Sequence, residues 1–262
     1  MTQSPHSRPV MHGSEVTANA QARDAWLAAL TELLPRHLFV AGVWLVGSLG
    51  RGGDDGYSDV DLVVAVDSTV PAAVLADPAT LLRVPDTVLL YTRPKPRNAP
   101  AGGAYEAVCI RLAGLPVLVD LYLWPAATAA VPDGARILYA RTEPPRSDLA
   151  FMTLLDRHRS GDTTGADPDH PATVLLLVQL AAKYQARGDV SRRDGIHQQL
   201  HLPTGGTLAV LRDVLDQRID LARWPAFQPA VAAVHRLLDI VESAHRPDRP
   251  TIDPTVERTP SR

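Results

Sequence analysis

The stretch VWLVGSLGRGGDDGYSDVDLVVAV, residues 43–66, decides the reading of this chain. It joins two short apolar runs, Val40–Val46 and Val60–Val66, through a glycine-rich, acid-rich spacer. Runs this short and this apolar suit buried strands. Gly47-Ser48 stands where the first strand ends: the glycine lets a ligand approach the backbone, and the serine offers a hydroxyl and an amide. A short helix beginning there presents free amides to phosphate oxygens. Asp59 and Asp61 are two apart at the start of the second strand and share one face, while Leu62, Val64 and Val66 point into the core. Two neighbouring carboxylates repel, and a divalent cation relieves the repulsion. Phosphate donors beside paired carboxylates predict a Mg²⁺-nucleotide site.

A third acid follows in Pro116–Leu123, where Asp120 interrupts an otherwise apolar strand. A lone carboxylate there needs a partner, and a metal shared with Asp59 and Asp61 is the simplest one. Arg51, three residues after Ser48, either reaches a phosphate or pairs with an acid of the spacer. Asp54 and Asp55 read as solvated turn residues. Lys183 lies in the apolar helical stretch Leu175–Tyr184, where a lysine snorkels to the surface or meets an anion. It is one of only two lysines; the other is Lys95. Asp194, His197 and His201 share a helix face and read as solvated surface rather than as a metal site. Cys109, the single cysteine, packs within a strand and excludes an internal disulfide.

Outward from this core, Thr17–Leu34 has helical spacing and ends at Pro35. Pro71–Leu82 predicts a helix broken at Pro78, and Val88–Tyr91 a short strand. Tyr105–Leu112 and Pro116–Leu123 predict a hairpin turning through Ala113-Gly114-Leu115. Arg136–Arg141 suits an edge strand. After Pro144-Pro145 the pattern becomes helical, with Ser147 as the expected N-cap of a helix reaching His158. Further helices are expected over Pro171–Gln185 and over 191–201, 205–222 and 225–244. The expected division is a disordered arm at 1–20, an α+β domain at 21–145, a helical domain at 146–245 and a disordered tail at 246–262.

The composition sets limits. There are 262 residues with a net charge of −3, which argues against duplex nucleic-acid binding through a broad basic surface. No apolar stretch is long enough to span a membrane, and the first 20 residues have no secretory apolar core, so a cytoplasmic setting is expected.

The string Gly-Ser-x-x-Arg-Gly-x(5)-Ser-Asp-x-Asp-Leu at Gly47–Leu62, joined by Asp120 on a later strand, resembles the DNA polymerase beta-like nucleotidyltransferase superfamily. It is most similar to the small bacterial members, including the aminoglycoside-modifying ones. The resemblance implies a mixed β-sheet flanked by helices, followed by a C-terminal helical bundle. It further implies two Mg²⁺ ions, both held by Asp59 and Asp61, with Asp120 on the ion that activates the acceptor. Gly47 and Ser48 would hold the outer phosphates of a nucleoside triphosphate, and Lys183 would reach them from the helical domain. Some relatives use a carboxylate as general base, and Glu106 is the candidate here. The implied reaction moves a nucleoside monophosphate, AMP from ATP in the first instance, to a hydroxyl of a small molecule. An aminoglycoside-like antibiotic is the first acceptor; a protein or tRNA, or a non-catalytic antitoxin-type module, is the alternative.

Overall fold

The computed structural model describes residues 13–160 and 167–245. Helix α1 (Ser14–Leu33) lays Trp26, Leu27 and Leu30 against a six-stranded mixed sheet. The chain then runs through β1 (Val40–Val46), the five-residue α2 (Gly47–Arg51), β2 (Val60–Val66) and α3 (Ala72–Ala76). A 3-10 turn over Pro78–Leu82 takes the second half of the helix expected at 71–82, broken at Pro78 because proline lacks the amide a helix needs. Strands β3 (Val88–Pro94), β4 (Ala104–Leu112) and β5 (Leu115–Pro125) follow. They precede β6 (Val131–Asp133), β7 (Arg136–Ala140) and β8 (Arg146–Ala150).

The sheet order is β3-β4-β5-β2-β1-β7. Only β2 and β5 pair in parallel; the other neighbours are antiparallel. Period-two alternation divides the side chains between two faces. Val60, Leu62, Val64, Val119 and Leu121 pack under α1. The opposite face carries two separate apolar patches. Trp44, Val63, Tyr105, Tyr122 and Trp124 lie under α4 (Phe151–His158), while Tyr91, Cys109 and Leu118 lie under the C-terminal helices.

Those helices are α5 (Pro171–Arg187), α6 (Val190–Gln199), α7 (Leu208–Arg218) and α8 (Gln228–His245). Helix α5 is the central one. Pro171 opens it, His170 caps it by accepting from the Ala172 amide, and Gly188 closes it with φ +69°. Val174, Leu175, Val178, Ala181 and Ala182 are buried along it.

Three expectations need correction. Residues 14–20, assigned to the arm, are the first turns of α1, and Val16 is buried. Residues 1–12 and the tail from 246 lie outside the described residues. Ser147 does not cap a helix: it sits in β8, which pairs with β6, and α4 starts after Ala150. Leu154 and Leu155 of α4 pack with Trp44 and Trp124 on the sheet, so the segment after residue 145 completes the sheet's own core before the helical part begins.

Candidate active site

A polar strip crosses the sheet between the two apolar patches. Val46, Asp61, Asp120, Ala107 and Arg93 are successive register partners on β1, β2, β5, β4 and β3. Directly paired residues share a face, so Asp61, Asp120 and Arg93 all project to the side covered by α4 and α5. Asp59 precedes Val60 by one residue and keeps the same parity as Asp61. The parallel pairing of β2 with β5 is what brings Asp120 beside Asp61 across 59 residues of sequence.

Burial and mutual repulsion govern this strip. Burial, then the charges of Asp120 and Asp59, raises the Asp61 carboxyl well above the usual carboxylate range. Asp120 is pushed up to about 6, first by burial and also by Asp59; a hydrogen bond from Tyr105 and the charges of Lys95 and Lys183 work against this. Tyr105 Oη donates to Asp120 Oδ1 at 2.7 Å. This partner of the third acid was not foreseen, because a tyrosine in an apolar strand gives no sign of which neighbour its hydroxyl reaches. Lys183 Nζ is bonded to Asp59 Oδ1, and the lysine side chain is only 4% exposed. The snorkelling alternative is thereby corrected: the lysine turns inward to an acid of the strip.

Gly47 has φ +67°, and any Cβ there would run into the Asp61 carboxylate. The turn after β1 and the acid of β2 are therefore fitted to each other. Ser48 is half-buried in the first turn of α2. Arg51 is exposed, with its stem over Gly134, and its charge partly offsets the rise at Asp61.

The spacer is clamped from both sides. Buried Arg23 of α1 donates to the Asp54 carboxylate at 2.5 Å and to the Asp55 carbonyl at 3.0 Å. From α5, Arg187 makes a two-pronged contact with the Asp55 carboxylate at 2.7 and 2.8 Å. Burial alone would raise Asp55. The Arg187 bonds and charge, with the Ser58 hydroxyl and the Tyr57 amide, instead hold it at about 2. Asp54 and Asp55 are thus ion-paired anchors, not solvated turn acids. The signal was present: Arg23 falls on the apolar stripe of α1 between Val16 and Leu30, and Arg187 lies one turn after Lys183.

Glu106 is not near this strip. It pairs with Leu121, whose side chain packs under α1, and its Oε2 accepts from the Ala79 amide at 3.2 Å. The expectation of a general base at Glu106 is corrected by sheet parity: the residue facing Asp120 is Ala107. Asp194, His197 and His201 do not assemble either. Asp194 binds Arg193 at 2.8 Å, His197 is fully buried with Nδ1 against the Pro203 carbonyl, and His201 lies beyond α6 with φ +55°.

As the side chains stand, no three His, Cys, Asp or Glu among the described residues close around a single point. Asp59 is turned to Lys183 and Asp120 to Tyr105. The donor set nevertheless suits a divalent cation: three carboxylate-bearing positions on adjoining strands, two of them with carboxyls raised by burial and then by neighbouring like charge.

Residues 27–98 match the family model of the nucleotidyltransferase domain, a segment that contains Gly47, Ser48, Arg51, Asp59 and Asp61. This segment therefore carries a nucleotidyltransferase domain, which supports nucleotidyltransferase activity. Asp120 and Lys183 lie beyond the matched segment. Among solved structures, the chain is similar to the STING-associated CdnE c-di-GMP synthase from Capnocytophaga granulosa. The identity is 14%, the coverage 87% of this chain and 82% of that one, and the TM-score 0.29. None of the curated proteins matches. No helix among the described residues is long and apolar enough to cross a membrane.

Proposed function

We propose that the protein transfers a nucleoside monophosphate from a nucleoside triphosphate to a hydroxyl of a small-molecule acceptor, with Asp59, Asp61 and Asp120 holding divalent metal. The observation that carries this reading is the register pairing of Asp61 with Asp120 across parallel strands, with Gly47 fitted against Asp61. Bound Mg²⁺ would neutralise the crowded carboxylates and stabilise the charge that develops on the α-phosphate and the leaving group. Gly47 and Ser48 bind the outer phosphates at the turn. Lys183 neutralises Asp59 and can turn from it to the incoming triphosphate. The arginine clamps on Asp54 and Asp55 keep the spacer, and with it Asp59, in one position before substrate arrives. The acceptor oxygen bonds to the α-phosphorus as the hydroxyl proton passes to solvent water, the bond to the β-phosphate oxygen breaks, and pyrophosphate leaves.

A polycationic aminoglycoside acceptor finds little support in the charge distribution. Glu106 lies on the far face of the sheet, Asp194 is held by Arg193, and Asp189 caps α6 and pairs with Arg192. The test is incubation with each labelled ribonucleoside triphosphate, Mg²⁺ and a panel of hydroxyl acceptors, ATP first. Label appearing on an acceptor together with pyrophosphate supports the reading. Folded protein that releases no pyrophosphate with any nucleotide overturns it.

A further inference from the structure

The strip does not end at the acids. Two strands beyond Asp120, in the same register row, stands Arg93, with only the methyl of Ala107 between them. The chain leaves β3 one residue later, and its turn brings Lys95 and Arg97 alongside. Arg93 and Lys95 are half-buried. Arg93 spends its Nε on Thr173 Oγ1 at 2.9 Å, in the first turn of α5. Among the described residues no carboxylate lies within ion-pair distance of Arg93, Lys95 or Arg97.

Most sheltered arginines elsewhere in the fold have acids: Arg23 has Asp54, Arg187 has Asp55, Arg193 has Asp194, and Arg212 has Asp239 and Glu242, while half-buried Arg218 donates to the Leu200 carbonyl. What sets Arg93 and Lys95 apart is that two half-buried cations lie together, with exposed Arg97 beside them. Burial, then the charges of Arg97 and Arg93, lowers the Lys95 ammonium below the usual lysine range. Burial likewise lowers Arg93. Gathering cations in a partly desolvated place without a counter-charge is unfavourable, and an anionic ligand removes the cost.

The donor's phosphates are not that anion. The Gly47-Ser48 turn follows β1, four strand positions from β3 in the sheet order, a separation of roughly 19 Å at the usual strand spacing. Arg93 and Asp120 are two positions apart, roughly 10 Å. The basic cluster therefore flanks the acceptor side of Asp120.

We propose that Arg93, Lys95 and Arg97 form an acceptor subsite for the phosphate group of a small phosphate ester whose hydroxyl lies at Asp120. The proposal rests on the transfer reading above and specifies its acceptor as an anion. A polynucleotide would need a longer track of cations than these three side chains in a chain of net charge −3.

Because the chain has only two lysines, amine labelling reads this subsite directly. The donor site is filled with Mg²⁺ and a non-hydrolysable ATP analogue, and 5′-AMP, adenosine, a single-stranded oligonucleotide and kanamycin are then tested as second ligands. The expected result is that 5′-AMP protects Lys95 and binds about tenfold or more tightly than adenosine. Lys95→Ala with Arg97→Ala, both in the turn after β3, should abolish that preference while the analogue still binds. Arg93→Gln, checked for an unchanged melting curve, should do the same. Equal binding of 5′-AMP and adenosine beside a bound analogue overturns the subsite and leaves the transfer reading intact. So does protection by the oligonucleotide or kanamycin in place of 5′-AMP. If the analogue itself does not bind the wild-type protein, the transfer reading fails and the subsite falls with it.

Discussion

The carboxylate of Asp61 occupies the space that a side chain on residue 47 would need, so the turn after β1 and the acid on β2 are two halves of one fitted contact. Gly47 also has a backbone with φ +67° that other residues adopt at a cost.

Gly47→Ala therefore meets both steric conflict and strain. The expected outcome is a destabilisation of about 1–3 kcal/mol. Because the displaced group is Asp61, turnover should fall further than stability, about 100-fold. Pyrophosphate release measured beside a melting curve checks the ratio of the two effects.

Asp61→Asn and Asp120→Asn remove one charge from a repelling pair. Each should retain the fold and lose turnover by about 100-fold or more. Saturating Mg²⁺ should raise the melting temperature of the wild type more than that of Asp61→Asn, since a metal that binds only the folded state stabilises it. Equal increments in the two proteins would refute the assignment of Asp61 as a metal ligand.

Lys183→Met leaves Asp59 without its cation. Breaking a sheltered ion pair from one side costs about 3 kcal/mol. The melting temperature of the metal-free variant should drop accordingly, and Mg²⁺ should restore part of it, because the freed carboxylate becomes available. A variant as stable as the wild type without metal would show that the pair does not hold α5 to the strip.

Asp55 and Arg187 predict the acid limb of the stability curve. The Asp55 carboxyl has a folded value of about 2, below its ordinary 3.8. A depressed carboxyl contributes its stability in full above the unfolded value and loses it as pH falls through the folded one. The melting-temperature gap between wild type and Arg187→Ala should thus be constant above about pH 4 and close between about pH 4 and 2. A gap that persists at pH 2 would contradict the pairing.

Glu106→Gln should keep its turnover, because the side chain lies under the sheet on the side of Leu121 and serves the Ala79 amide. Steady-state kinetics with Mg²⁺ and the best acceptor found checks this; a collapse of kcat in a well-folded variant would reverse the face assignment.

Glu106 also shows where the sequence could not decide. Read as a three-residue turn, Ala113-Gly114-Leu115 would set Glu106 on the face of Asp120. The turn instead has two residues, Ala113 and Gly114, both with positive φ, and Leu112 pairs with Leu115. One residue of register moves every side chain of a strand to the other face. Arg93 was missed for a related reason: β3 continues to Pro94, three residues past the expected end at Tyr91. A proline is tolerated there because β3 is an edge strand.

What the amino-acid order determined by itself was local. The runs Val40–Val46 and Val60–Val66, the Gly47-Ser48 turn and the shared parity of Asp59 and Asp61 follow from a period of two and need no knowledge of neighbours. The nucleotidyltransferase motif is made of such local features. What only the tertiary structure decided was which distant residues stand beside them: Asp120 through the parallel register of β5, Lys183 and Arg187 through the docking of α5, and Arg93 through two further strand pairings. Register and docking depend on turn length and on packing between segments, and these are properties of pairs of segments that no single stretch of sequence contains.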